Sequence, residues 1–110
     1  MISCDEVAKV DIRVGTIVQT ESCPEARRAA VKLAIDFGED IGIKKRSAQI
    51  TKHYTPESLI GMKICALTNF PPKQIGPFMS EVLVLGFSDE AGDIVLIAPD
   101  QAVPNGAKLH

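Results

Sequence analysis

Apolar and polar residues alternate with a period of two along several short stretches of the chain, which predicts half-buried β-strands rather than helices. In VDIRVGTIV, Val10, Ile12 and Val14 share one face and Asp11 and Arg13 the other, until Gly15 interrupts the run. A glycine inside such a run marks a bulge or a sharp bend. VKLAIDFG repeats the pattern, with Val31, Leu33, Ile35 and Phe37 inward and Lys32 and Asp36 outward. IGIKKRSAQIT opens apolar at Ile41 and Ile43 and turns basic midway. KICALTNF, EVLVLGF and DIVLIAPD supply the remaining strands, the last two joined by the acidic turn SDEAGD. Helix signals are short. Ser3-Cys4-Asp5-Glu6 has capping-box spacing, Ser22 precedes PEARRAA, and Thr55 precedes Pro56-Glu57 with Gly61 as a stop. The first is expected to cover a barrel end, and the second to turn within the connection between the first two strands.

Five or six short strands without a long helix, punctuated by Gly, Pro and Asp, favour an all-β chain closed into a small barrel. At 110 residues it reads as one domain spanning 1–110. One feature does not fit a lone barrel: Val82-Leu83-Val84-Leu85 and Ile94-Val95-Leu96-Ile97 are apolar at both parities. A barrel strand buries one face in its own core, so the second face needs a cover, and a symmetric homodimer supplies one. Val82, Val84, Ile94 and Leu96 are the expected interface positions.

Composition narrows the chemistry. No apolar run approaches the roughly 18 residues of a spanning helix, and the N-terminal MISCDEVAKVD carries acids where a signal peptide is basic. Cys4, Cys23 and Cys65 are an odd set without CxxC spacing, which argues against a disulfide framework or a zinc site and suits a reducing compartment. Cytoplasmic location without membrane insertion is expected. There is no GxSxG, HExxH, P-loop or GxGxxG, and Asp89-Glu90-Ala91-Gly92-Asp93 falls in a turn where acids solvate a hairpin. The expectation is a binding protein rather than an enzyme, with no cofactor and no metal.

Charge points to the kind of ligand. The net charge is −2, yet residues 41–80 hold six basic side chains and the one acid Glu57, a local net of +5. Such a distribution predicts one cationic face on an acidic molecule. Lys44, Lys45 and Arg46 are its densest part; on a strand, Lys44 and Arg46 point one way and Lys45 the other. Ser47, Lys52 and Lys73 extend the candidate groove, and Asn69 stands at the mouth of the proline segment. With no Trp, one Tyr and four Phe, stacking of successive single-stranded bases is poorly served, which favours recognition of a folded RNA by backbone and shape.

The order VDIRVGTI, CPEARRA, ITKHYTPESLIG and NFPPKQIGPFMSEVLVL resembles the tRNA-binding-domain family, over nearly the whole chain. KKRSAQIT together with PPKQIGPFMSEVL is most similar to its CsaA branch of export-related chaperones. The resemblance implies an OB-fold five-stranded barrel with N- and C-terminal extensions, and a homodimer built partly by those extensions. It also implies a groove at Lys44, Lys45, Arg46, Ser47, Asn69, Lys73, Met79 and Ser80. Two motifs depart from the family's tRNA binders: Ser47-Ala48-Gln49-Ile50 stands where they carry Ser-Gly-Ile, and Ser80-Glu81-Val82-Leu83 where they carry Ser-Glu-Gly-Met. The CsaA resemblance implies precursor proteins or peptides in extended, non-native form as partners, with Phe78 and Met79 offering apolar contacts; tRNA is the alternative partner.

Overall fold

The alternation over residues 31–37 is realised without exception: Val31, Leu33, Ile35 and Phe37 are buried and the residues between them are not. This strand belongs to a computed structural model that describes residues 1–22, 30–50, 52–75 and 78–110. In chain order the elements are α1 (Cys4–Ala8), β1 (Ile12–Ser22), β2 (Val31–Asp36), β3 (Ile43–Ala48), α2 (Pro56–Leu59), β4 (Lys63–Leu67), β5 (Lys73–Ile75), β6 (Phe78–Ser80), β7 (Leu83–Val84), β8 (Gly86–Ser88) and β9 (Ile94–Leu96). The helical turn expected after Ser22 lies outside the described residues.

β1, β2, β3, β4 and β7 form one antiparallel sheet in the order β3-β2-β1-β4-β7, and β5–β6 and β8–β9 are separate hairpins. The sheet curls until its ends nearly meet. The Glu81 amide donates to the Lys45 carbonyl at 2.8 Å, and the Ser47 amide donates to Ser80 Oγ at 3.0 Å. The result is a nearly closed five-stranded barrel of OB type, all-β among the described residues apart from the short α1 and α2. The curl needs a break in β1, and its register with β2 shifts between Ile17 and Gln19. Ahead of that shift the barrel-facing positions are Gly15, opposite the buried Ile64, and Ile17, whereas Val14 is buried on the other face and lies outside the core cluster. Gly15 is not the bulge itself. A side chain there would collide with Ile35 and Phe37, so the glycine lets the core rings approach β1.

Ile17, Val31, Leu33, Ile35, Phe37, Ile64, Ala66 and Val82 fill the barrel, and Leu59 closes one end. Leu59 arrives on α2, whose N-cap Thr55 forms a capping box with Ser58 and whose first position is Pro56. Sequestering that one side chain contributes about 2 kcal/mol. The expected end-covering role thus falls to α2 rather than α1. Ser3 and Glu6 do make the predicted capping box, but no residue of α1 is buried.

The doubly apolar strands resolve differently from expectation. Val82 is 1% exposed and belongs to the core, so it has no surface left for a partner. Val84, Ile94 and Leu96 also pack against the core, half-buried. The surplus face carries the opposite parity: Phe87 and Val95, directly paired across the β8–β9 hairpin, are 70% and 40% exposed. Parity alone could not say which set turned inward, because both are apolar.

Candidate functional site

β3 is the wall between two clefts. Residues directly opposite one another in an antiparallel pair share a face. Arg46 lies opposite Leu33 and Lys44 opposite Ile35, on the barrel side, whereas Lys45 lies opposite Ala34 and Ser47 opposite Lys32, on the outer side. The basic run is therefore split, as strand alternation requires, and its members do not form one groove.

On the outer face a shallow cleft of about 140 Å³ is lined by Gln19, Glu21, Lys32, Ala34, Lys45 and Phe78, among others. The Lys32 ammonium lies 5.4 Å from the centre of the Phe78 ring, close enough for a cation–π contact. Lys32 was absent from the candidate groove, although its outward position was readable; its pairing with Ser47 is what brings it there. Ser47 and Ser80 are both buried, and their mutual hydrogen bond closes the barrel rather than meeting a ligand. Ser80 pairs with Lys73 and Gln74 with Met79 in the β5–β6 hairpin, so the exposed Lys73 and Met79 stand beside this face. Asn69 lies elsewhere. Its Oδ1 accepts the Asp11 amide at 3.0 Å and its Nδ2 donates to the Lys9 carbonyl at 2.6 Å, so it braces the N-terminal segment instead of entering the groove.

The larger cleft, about 590 Å³, opens between the end of β3 and β7–β9. Arg46, Gln49 and Lys52 supply its polar lining, with Asp93 opposite, and Ile50, Val84, Ile94 and Leu96 its apolar lining. Three of the four expected interface residues therefore line a cleft together with three of the expected groove residues, Arg46, Ser47 and Lys52. The Arg46 Nε is buried and has no hydrogen-bond partner. Burial also pulls the Arg46 pKa below its usual value.

The far wall is held by two contacts from the segment before α2. Tyr54 Oη accepts the Leu96 amide at 3.0 Å, and His53 Nε2 lies 2.6 Å from Asp89 Oδ2. Asp89 Oδ1 accepts the amides of Ala91 and Asp93, each at 2.9 Å, which shapes the turn. His53, Asp89 and Asp93 bring ligand-capable atoms within 4.8 Å of one another, but both Asp89 oxygens are already engaged, so the cluster acts as a pin for the hairpin. The Asp93 amide, and then His53, hold the Asp89 carboxyl below its ordinary value. A depressed carboxyl contributes stability that is present above the unfolded value near pH 4 and is lost as pH falls through the folded one. Asp89→Asn should therefore flatten the acid side of a melting-temperature profile between about pH 5 and pH 2. Equal acid slopes in the two proteins would show that the pin contributes nothing there.

Residues 12–108 match the family model described as "Putative tRNA binding domain". The chain belongs to the tRNA-binding-domain family. Along its whole length this tRNA-binding domain is similar to the chaperone CsaA of Bacillus anthracis str. Ames, with 50% identity and a TM-score of 0.93 over 100% of this chain and 99% of that one. It is likewise similar to the CsaA chaperone of Picrophilus torridus, with 47% identity and a TM-score of 0.92 over 100% of both chains. A methionine–tRNA ligase of Porphyromonas gingivalis is 33% identical over 108 residues, which make up 98% of this chain and 15% of the ligase. The chain thus spans only about 15% of the length of such ligases. Burial pushes the Cys65 thiol of the domain above its usual value, which suits a packed side chain better than a nucleophile.

Proposed function

We propose that this tRNA-binding domain is a non-catalytic, cytoplasmic homodimer that holds extended, non-native segments of precursor proteins for export in the cleft between β3 and β9. The observation that carries the reading is the lining of that cleft, where Ile50, Val84, Ile94 and Leu96 meet Arg46 and Lys52. A surface of this mixed kind suits unfolded polypeptide, which presents apolar and polar groups together. End-to-end similarity to two CsaA chaperones supports the same reading.

The dimer is supported at the chain ends. α1 buries nothing, Ile2, Val7 and Leu109 are exposed, and the Leu109 amide bonds the Ile12 carbonyl, so both termini lie beside the start of β1. A second copy covering them would sequester that apolar surface. Among the described residues no helix is long and apolar enough to cross a membrane.

tRNA binding on the outer face is the second reading, favoured by Lys32 and Lys45 flanking Phe78 on the sheet face that OB-folds use for nucleic acid. One experiment addresses both, by measuring tRNA affinity against salt and suppression of client aggregation for the wild type and for Lys32→Glu/Lys45→Glu. Removing two phosphate contacts should make the log–log salt slope shallower by about 2 while aggregation suppression persists. A wild type that suppresses no aggregation defeats the chaperone reading. Affinity for tRNA that ignores salt defeats the RNA reading.

A further inference from the structure

Arg46 lines the larger cleft and carries an unmet donor behind its wall. Its Nε is buried without a hydrogen-bond partner, and among the described residues the ion pairs to carboxylates are made by Arg13 and His53, not by Arg46. Arginine cannot escape such a position by losing its proton. The Arg46 charge is thus offset by no carboxylate of the described chain, and along the wall of an open cleft it suits an anionic group supplied from outside, reached through the guanidinium's other donors rather than through the buried Nε.

We propose that the cleft selects polypeptide segments carrying an acidic side chain among apolar ones, with the Arg46 guanidinium taking the carboxylate. The proposal rests on the polypeptide-holding reading above and names the class of segment held. The planar fork of arginine matches a carboxylate through two parallel hydrogen bonds, and Lys52 adds a second positive charge on the same lining. A nucleic-acid strand fits the cleft less well. Its repeating phosphates would face Asp93 on the opposite wall, its backbone would leave Ile50, Ile94 and Leu96 uncovered, and among the described residues no aromatic side chain lines the cleft to stack a base. A peptide brings one carboxylate and several apolar groups, and Asp93 fixes the direction in which it lies, with the acid toward β3. Tyr54 Oη already takes the Leu96 amide on the outer edge of β9, so side chains rather than an added strand carry the recognition.

The test uses the full chain and three fluorescein-labelled peptides of one length and one apolar composition, differing only in a central Glu, Gln or Lys. Anisotropy titrations should rank Glu first, about 10-fold or more above Gln and further above Lys. Arg46→Gln should erase the Glu preference while leaving the Gln peptide bound. Arg46→Lys, which keeps the charge without the fork, should restore part of it, and thermal melts confirm that both variants fold. Because the peptide series probes the wild type directly, the ranking stands even where a variant is unstable. Equal binding of all three peptides overturns the acidic preference alone. Binding of none overturns it together with the polypeptide-holding reading. tRNA that displaces the Glu peptide, and whose own affinity falls at Arg46→Gln, assigns the guanidinium to phosphate and overturns the proposal.

Discussion

Replacing Phe37 with alanine should cost about 3–5 kcal/mol of folding stability, a fall in melting temperature on the order of 15–25 °C for a chain of this size. Phe37 is 1% exposed and heads the largest fully buried side chains. Its ring faces Gly15 so closely that a methyl group on that glycine would stand 2.8 Å from Cε1 and 2.9 Å from Cδ1. β1 has therefore given up a side chain to admit this ring, and nothing on β1 can move in to refill the space that alanine would leave. The barrel cannot collapse there without shifting β1 against both β2 and β4, with which it pairs along most of its length. Thermal and urea melts measure the loss. A change below about 1 kcal/mol would mean that the neighbourhood collapses freely and that the ring is not a keystone of the core.

How much of this was readable in the residues depends on how sharply each segment discriminates between its two faces. VKLAIDFG alternates strictly between apolar and charged or small residues, and all four inward assignments match the structure. VDIRVGTIV misleads because its even-numbered apolar residues alternate so cleanly, yet the barrel takes the odd set, Gly15 and Ile17, while Val14 is buried on the other face beneath the C-terminal segment, whose Ala107 carbonyl accepts its amide. VLVL and IVLI offer no contrast between faces, and the choice was made by tertiary packing. Val82 went inward because the chain after β6 returns beside β3, where the Glu81 amide meets the Lys45 carbonyl. The same weakness hid the exposed pair Phe87 and Val95.

At the site, alternation foretold that Lys45 would part from Lys44 and Arg46, and that separation gives the molecule two clefts. The sequence could not reveal what fills each cleft's opposite wall, since those residues come from 33 or more positions further along the chain. Arg46 meets Ile94 and Leu96 across the larger cleft, and Lys45 meets Phe78 across the smaller one. Lys32 joined the candidates only through its cross-strand pairing with Ser47. Asn69 illustrates the converse: a polar residue at a loop mouth looks available for a ligand, yet its amide is spent on the backbone of a segment some 60 residues earlier.

Gly106→Ala should destabilise the chain by about 2–4 kcal/mol and detach its C-terminal segment from the barrel. Gly106 has φ +89°, and an added Cβ would lie 2.5 Å from the Phe37 carbonyl oxygen, a backbone atom that cannot swing aside. The same glycine anchors the segment, since its amide donates to the Val14 carbonyl at 2.8 Å and its carbonyl accepts from Arg13 Nη1 at 2.9 Å. Beyond it, the Val14 amide bonds the Ala107 carbonyl, Lys108 bridges to Arg13, and the Leu109 amide bonds the Ile12 carbonyl. Gly92→Ala separates the two causes. Gly92 has φ +87° but nothing within 4 Å of an added Cβ, so that variant should cost only the conformational part, about 1–2 kcal/mol. Should the two variants prove equally stable, the close approach to Phe37 would not be what holds the segment. If the exposed ends beside β1 form the subunit contact, Gly106→Ala should also raise the dimer dissociation constant in sedimentation experiments while Gly92→Ala leaves it unchanged. An unaltered dimer in a Gly106 variant whose C-terminal amides have lost hydrogen-exchange protection would move the contact to the other exposed apolar face, that of Phe87 and Val95.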